Sequence, residues 1–253
     1  MKNTIKITVL LIIVALVCAV FVACEPDEEN QQTFILTFET NGGNEIDLIE
    51  NNGTDDIELP SPQREGYTFN GWYIDNDTFE NEYTGQPLSQ DTTVYADWSV
   101  NEYTITFESN GGSSVDDLIA DYSQEITSPD SPQRNGYAFD GWFVDSDLQS
   151  EFLFDTMPPQ DITVYAKWGL IEYSITYQLD GGENNQNNPQ TYTIETQSFE
   201  LMSASSENKV FLGWFSDAGF DTEITHIGDG ETGDITLFAK WVDGVVENGL
   251  ILS

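Results

Sequence analysis

The stretch Gly66-Tyr-Thr-Phe-Asn-Gly-Trp-Tyr73 recurs along this 253-residue chain and organises its whole length. A second copy runs Gly136-Tyr-Ala-Phe-Asp-Gly-Trp-Phe143, and a divergent third copy covers residues 209–215. The tryptophans of the three copies, called the box tryptophans below, lie 70 and 72 residues apart and are Trp72, Trp142 and Trp214. This period predicts three consecutive modules of about 65–70 residues, close to the lower size limit of an independently folding domain.

Each module is predicted to consist mainly of short strands, and the second module shows the pattern most clearly. Residues 103–108 alternate apolar and polar side chains, which is typical of a half-buried strand. Asn110-Gly111-Gly112 predicts a tight turn, whereas residues 115–122 fit either a second strand or a short helical turn. Residues 128–135, rich in Ser and Pro, predict a loop, with a short helical turn as the alternative. Residues 162–168 predict a closing strand that ends in Trp168.

The repeated stretch Gly-Tyr-x-Phe-x-Gly-Trp-Tyr/Phe is called the box below. It predicts a third strand, residues 137–144 in the second module. Simple alternation places Phe139 and Trp142 on opposite faces, and Gly141 beside Trp142 indicates a bulge or a close backbone approach. Because tryptophan recurs inside this strand, we expect the box tryptophans to anchor the core rather than to serve as platforms for sugar rings. The tryptophans that close each module lie near the module junctions, so packing against a neighbouring module is expected for these terminal tryptophans, Trp98, Trp168 and Trp241.

Four features of the second module together identify a family. They are a strand before Asn-Gly-Gly, the box, the run Thr156-Met-Pro-Pro-Gln-Asp-Ile-Thr163, and the closing Tyr165-Ala-Lys-Trp168. With this combination, residues 33–242 resemble the Listeria–Bacteroides repeat, also called the internalin B-repeat. The third copy keeps both ends but carries Ser203-Ala-Ser-Ser206 where the other copies have Ser-Pro-Gln-Arg.

The resemblance implies a small β-grasp-like module, in which several strands surround a short helical segment. The expected fold class is therefore α+β, mostly β, with three such modules in tandem. The resemblance also implies a place on bacterial surface proteins and lipoproteins, a role in attachment or in spacing out other domains, and no catalysis.

The links between modules are short, which limits independent swinging and predicts a semi-rigid, bead-like rod. We expect module boundaries at residues 33–99, 100–169 and 170–242, with the third module divergent and residues 243–253 forming a tail.

The N-terminus has the layout of an export signal. Lys2 and Lys6 precede an apolar run from Val9 to Ala23, and Phe21-Val-Ala-Cys24 resembles a bacterial lipobox. We therefore predict a signal peptide over residues 1–24 with Cys24 as the lipidated residue, followed by a linker over residues 25–32. An uncleaved membrane anchor and an ordinary signal peptide are the alternatives. The lipidated form would be held on the extracellular face of the cytoplasmic membrane.

Charge and composition exclude several function classes. The chain has 7 Lys and Arg against 45 Asp and Glu, a net charge of −38, and such a surface repels nucleic acid. The single histidine, His226, lacks the setting of a catalytic base, and small modules offer little concavity for a catalytic carboxylate pair. We expect no enzyme activity, no catalytic residues and no cofactor. The turns at Asp75-Asn-Asp77 and Asp145-Ser-Asp147 contain oxygen ligands suited to Ca²⁺, but they lack the glycine of a calcium loop, so solvated turns without metal are expected.

The sequence thus predicts a non-enzymatic, monomeric surface lipoprotein whose repeats act as a spacer or as adhesion modules. Its partners would be the membrane, through the lipid anchor, and a protein or glycan on a host or neighbouring cell. A carbohydrate- or peptide-binding module that uses strand edges or aromatic side chains is the alternative. Whether the chain is part of a longer adhesin is left open.

Overall fold

The structure is a computed structural model that describes residues 32–247 and 250–252. The predicted signal peptide, its Cys24 and residues 25–31 of the linker lie outside the described residues.

Each module forms its own mixed β-sheet. Module 1 contains β1 (Phe34–Glu39), β2 (Ile49–Asn51), β3 (Tyr67–Tyr73) and β4 (Thr92–Val100). Module 2 contains β5 (Glu102–Glu108), β6 (Leu118–Asp121), β7 (Tyr137–Phe143) and β8 (Ile162–Leu170). Module 3 contains β9 (Tyr173–Gln178), β10 (Thr191–Tyr192), β11 (Phe199–Glu200), β12 (Lys209–Phe215), β13 (Glu223–Ile224), β14 (His226–Ile227) and β15 (Ile235–Asp243). β16 (Val245–Glu247) and β17 (Leu250–Leu252) follow as an antiparallel pair.

The three sheets share one strand order. It is β2-β1-β4-β3 in module 1, β6-β5-β8-β7 in module 2, and β10-β9-β15-β12-β13 in module 3. The two central strands of each sheet run parallel and the flanking pairs run antiparallel. Because parallel neighbours require a long connection, the chain between them includes the edge strands of the sheet, and its connecting segments form a crossover that covers one face.

That crossover encloses the core of each module. In module 1 the sheet contributes Leu36, Val94 and Trp72, while the crossover contributes Ile57 and Tyr83; all five side chains are buried. Equivalent clusters form in modules 2 and 3, so each module has a hydrophobic core of its own.

The mostly-β prediction is confirmed, but the helical part of the α+β prediction is not. Residues 32–247 and 250–252 contain no helix. This part of the chain therefore has no helix long and apolar enough to cross a membrane. Residues 115–122, which fitted strand or helix, contain strand β6. The Ser-Pro loop stays irregular because Pro129 and Pro132 lack the amide hydrogens that a helix needs. The β-grasp likeness, which included that helical segment, stays an expectation.

The box strand departs from simple alternation. The pairing of β7 with β8 shifts register between Phe139 and Trp142, which is a bulge at Gly141. The bulge places both aromatic rings on the core face, where their centroids are 5.4 Å apart in an edge-to-face arrangement. The expectation of opposite faces was therefore wrong, and the bulge that Gly141 indicated is the reason.

Candidate interaction surface

The box tryptophans are core residues, as predicted. Each has only 2% of its surface exposed. The indole Nε1 of Trp72 donates to the carbonyl oxygen of Pro60 at 2.8 Å, and that of Trp214 donates to Met202 at 2.9 Å. These rings have no open face and cannot serve as stacking platforms for sugars.

The Trp142 indole differs because its buried Nε1 has no hydrogen-bond partner. In modules 1 and 3 the accepting residue lies three positions after an apolar residue that packs in or against the core, from Ile57 to Pro60 and from Phe199 to Met202. In module 2 four positions separate Ile126 from the corresponding Asp130. The inserted residue displaces the acceptor carbonyl, which accounts for the unpaired donor.

The terminal tryptophans pack within their own modules, which corrects the expectation of contact with a neighbour. Trp98 Nε1 donates to the Thr40 carbonyl at 2.9 Å, and the ring lies against Gly43, where a Cβ would come within 2.7 Å of it. Trp168 and Trp241 make the same contacts with the glycine pairs of their modules. The second glycine of each pair is therefore required by the close approach of the ring.

The scarce cations of the modules stabilise the same turns. The Arg64 guanidinium lies 3.6 Å from the centroid of the Tyr67 ring and donates to the Asn41 carbonyl at 3.1 Å. Arg134 makes the equivalent contacts in module 2. Module 3 has no arginine, but Lys209, which stands where Tyr67 does, donates to the equivalent Asp180 carbonyl at 2.9 Å. A cation thus binds this turn in every module.

The remaining two cations of the described residues lie over aromatic rings. Lys167 Nζ lies 4.7 Å from the centroid of Phe143, and Lys240 Nζ lies 4.9 Å from that of Phe215. Lys167 also forms an exposed ion pair with Asp140 at 3.7 Å. From residue 32 onward the sequence has 41 acidic and 5 basic side chains, and all 5 basic ones have such intramodular partners.

Successive modules touch each other at a repeated junction. Asn101 alone separates β4 from β5, and its amide donates to the Gly66 carbonyl at 2.9 Å. Gly66 has a φ of +75°, and a Cβ there would overlap the ring of Tyr122, which follows β6 of the next module. At the second junction Gly136 faces Ile194 in the same way.

Side chains add polar contacts at both junctions. The Tyr122 hydroxyl lies 3.5 Å from a carboxylate oxygen of Glu65, and the Tyr137 hydroxyl donates to Glu195 at 2.5 Å. The bond to Glu195 raises the pKa of Tyr137 above its ordinary value. Each junction therefore combines a backbone hydrogen bond to the glycine carbonyl, from Asn101 to Gly66 and from Ile171 to Gly136, with a buried glycine contact and a tyrosine–glutamate pair.

The acidic turns after the box strands satisfy their carboxylates internally. Asp75 accepts the Thr78 hydroxyl at 2.8 Å and the Asn81 amide at 2.9 Å, and these hydrogen bonds hold the pKa of Asp75 well below its usual range. Backbone amides lower the pKa values of Asp145 and Asp217 in the same way. Among the residues that the structure describes, no three acidic, histidine or cysteine side chains form a group able to hold a metal ion.

Module 3 contains a groove of about 790 Å³ that sequence analysis did not predict. It lies between the β11–β14 ribbon and the edge formed by β12 and β13, with half-buried apolar side chains such as Leu201 and Ile224. Exposed polar side chains surround these, and they include Glu200, Glu223 and His226. We call this cleft the module 3 groove.

Two positions at the groove differ from the corresponding positions of module 2, which carry aromatic rings. Phe152 and Phe154, ten and twelve residues after Trp142, pack against the core of module 2. The equivalent positions after Trp214 are Ile224 and His226, and His226 is exposed. The aligned positions of module 1 are Glu82 and Thr84, so the sequence alone carried no signal that singled out module 3.

Comparison with known proteins gives consistent matches over all three modules. The sequence profile of the Listeria-Bacteroides repeat domain matches residues 34–97, 103–167 and 173–240. A protein of Evansella cellulosilytica whose name describes a Gly-rich membrane protein is 35% identical over 216 residues, which is 82% of this chain and 24% of that protein. A second membrane protein of the same organism is 33% identical over 215 residues, 82% of this chain and 32% of that protein.

Internalin H of Listeria monocytogenes is also similar. It is 34% identical over 116 residues, which is 44% of this chain and 21% of internalin H. The chain therefore spans less than a third of the length of the relatives that it matches.

Proposed function

Since the chain belongs to the Listeria–Bacteroides repeat family, we propose that it is a non-enzymatic protein of the bacterial cell envelope. In this proposal Cys24 carries a lipid anchor on the outer face of the cytoplasmic membrane, and the three modules hold an acidic interaction surface away from that membrane. The relatives named as membrane proteins and the similarity to an internalin support the cell envelope as its location.

The observation that carries the spacer role is the construction of the junctions. A one-residue link, a backbone hydrogen bond and a contact at a glycine leave little freedom between modules 1 and 2. A flexible tether would instead need a long linker rich in glycine and serine. The proposed array is a semi-rigid monomer that keeps its third module farthest from the anchor.

An interaction role is proposed alongside spacing, with a protein on a host or neighbouring cell as the partner. The buried box tryptophans argue against a glycan partner that would stack on them. The groove in the distal module favours a protein partner, because it provides a concave surface with unshared carboxylates.

The test is display on the cells that make the protein. An epitope tag after Leu252 should be reached by antibody on intact cells, and a labelled fatty acid should be incorporated into the chain. Cys24→Ala should abolish the labelling. Deleting module 2, residues 102–171, should leave labelling intact while reducing tag accessibility beneath the surface layers. An unlabelled chain, or a tag found only inside the cell, would overturn the proposal.

A further inference from the structure

We propose that the module 3 groove binds an extended, basic segment of another protein, with lysine or arginine side chains alternating with aliphatic ones. This inference deepens the proposed interaction role and rests on it only for the cellular setting. Three features of module 3 point to this partner: the shape of the groove, its charge, and the free edge of β12.

The shape suits a chain of residues rather than a compact ligand. The volume of about 790 Å³ lies in the upper part of the range of about 300–1,000 Å³ that ligand sites occupy. The groove follows β12 past Phe211, Leu212 and Gly213, between that strand and the β11–β14 ribbon. Leu212 is 46% exposed and, with half-buried Leu201, offers apolar surface to an aliphatic side chain.

The edge of β12 provides backbone partners for an added strand. β12 pairs with β13 only through Trp214 and Phe215, whereas its pairing with β15 on the other side runs from Lys209 to Phe215. Within the described residues no strand pairs with the outer edge from Lys209 to Gly213. An extended peptide can add to such an edge through main-chain hydrogen bonds, while its alternate side chains enter the groove.

The charge of the lining selects a basic segment. Glu200 and Glu223 are both exposed, and no lysine or arginine lines the groove. The two cations of module 3 are held elsewhere, Lys209 on Asp180 at 3.1 Å and Lys240 over Phe215. The carboxylates of the lining are therefore available to cationic side chains of a partner.

A glycan is the less suitable occupant. Trp214 lines the groove but is only 2% exposed, and its Nε1 already donates to Met202. Phe199 and Phe211 are half-buried within the core cluster, so no aromatic ring lies open for stacking against a sugar face.

The test measures binding of a fluorescent, acetylated heptapeptide of alternating lysine and valine to the full chain in mild detergent. Two further peptides replace lysine by glutamate or valine by glycine. We expect saturable binding of the lysine–valine peptide, binding at least tenfold weaker for the glycine peptide, and none for the glutamate peptide. No binding of the lysine–valine peptide would overturn the proposal.

Variants separate the groove from the general acidity of the chain. Glu200→Gln and Glu223→Gln should each weaken binding about two- to fivefold, as expected for loss of one exposed charge contact. Glu151→Gln is the matched control, because Glu151 pairs with Phe143 in module 2 as Glu223 pairs with Phe215 in module 3. It should change binding less than twofold, and an equal loss in the control and in Glu223→Gln would show diffuse attraction and refute the site.

A second variant tests the groove by filling it. His226→Phe restores the aromatic ring that Phe154 provides in module 2 and should weaken peptide binding at least tenfold without unfolding the module. Unchanged binding by a folded His226→Phe protein would overturn the proposal. Peptide binding is measured on purified protein, so its failure leaves the display experiment unaffected, and a chain that is not displayed can still bind the peptide.

Discussion

Replacing Gly66 by alanine should weaken the contact between modules 1 and 2. The loss in free energy of unfolding should exceed the cost of backbone strain alone. Gly66 has a φ of +75°, which costs an alanine about 1–2 kcal/mol. A Cβ there also overlaps the ring of Tyr122, and overpacking of this kind costs about 1–3 kcal/mol. The ring cannot turn aside freely, because Tyr67 packs edge-to-face on it at 6.0 Å and its amide is bonded to Asn101.

The expected total is therefore a loss of about 2–5 kcal/mol, measured as the free energy of unfolding in urea. Gly181→Ala is the control for backbone strain, because Gly181 has a φ of +83° and nothing lies within 4 Å of a Cβ there. It should cost only about 1–2 kcal/mol. Hydrogen exchange should place the effect of Gly66→Ala at the ends of both modules and that of Gly181→Ala in module 3.

A double-mutant cycle isolates the junction. In a Tyr122→Ala background the ring is gone, so Gly66→Ala should cost only the backbone strain. The coupling energy between the two positions should then be about 1–3 kcal/mol. If Gly66→Ala lowers the free energy of unfolding equally with and without the Tyr122 ring, the modules are not joined through this contact. The proposed spacer role then loses its structural basis.

Three further predictions concern single modules. Arg134→Met removes a charged hydrogen bond to Asn110 and a cation–π contact, and urea unfolding should show module 2 weakened by about 1–2 kcal/mol; an unchanged midpoint would contradict this. The folded-state pKa of Asp75 lies below its ordinary value of 3.8, so its contribution is present above that pH and lost as pH falls. The melting-temperature difference between wild type and Asp75→Asn should therefore shrink between about pH 5 and pH 2, and a constant difference would refute the assignment. Deleting Ser128 should restore an acceptor to Trp142 and stabilise module 2 by about 1 kcal/mol in calorimetry, whereas destabilisation would show that the insertion is not the cause.

The repeat and the core could be predicted from the sequence because both depend on local pattern. The spacing of the box tryptophans defined the modules, and their position inside a strand indicated burial. The packing of Trp98 could not be predicted, because position in the chain placed it near a junction while the parallel pairing of β1 with β4 brings it to the Gly43 turn. Parallel pairing joins segments far apart in sequence, and no local pattern reports it.

Substitutions that compensate each other also could not be recognised from the local sequence pattern. Module 3 has no arginine and carries Ser203-Ala-Ser-Ser206 in place of Ser-Pro-Gln-Arg, yet the backbone of Ser205 bonds to that of Glu183 as Gln63 bonds to Asn44 in module 1. Lys209 replaces the lost cation from a different strand position. Only the structure shows that Lys209 reaches the Asp180 carbonyl, which is equivalent to the Asn41 carbonyl that Arg64 reaches in module 1.

The distribution of charge over the three modules determines how their surface can select a partner. The few cations of the modules lie on aromatic rings and turn carbonyls, so most carboxylates have no cationic partner. These carboxylates attract any cation weakly. Screening limits that attraction to about 8–10 Å at physiological ionic strength, so the field can speed an encounter but cannot choose among basic partners. Selection must then come from shape at short range. In the residues that the structure describes, the module 3 groove combines unshared carboxylates, apolar surface and a free strand edge. The third module thus keeps the shared strand order while His226 stands at its groove where module 2 has Phe154.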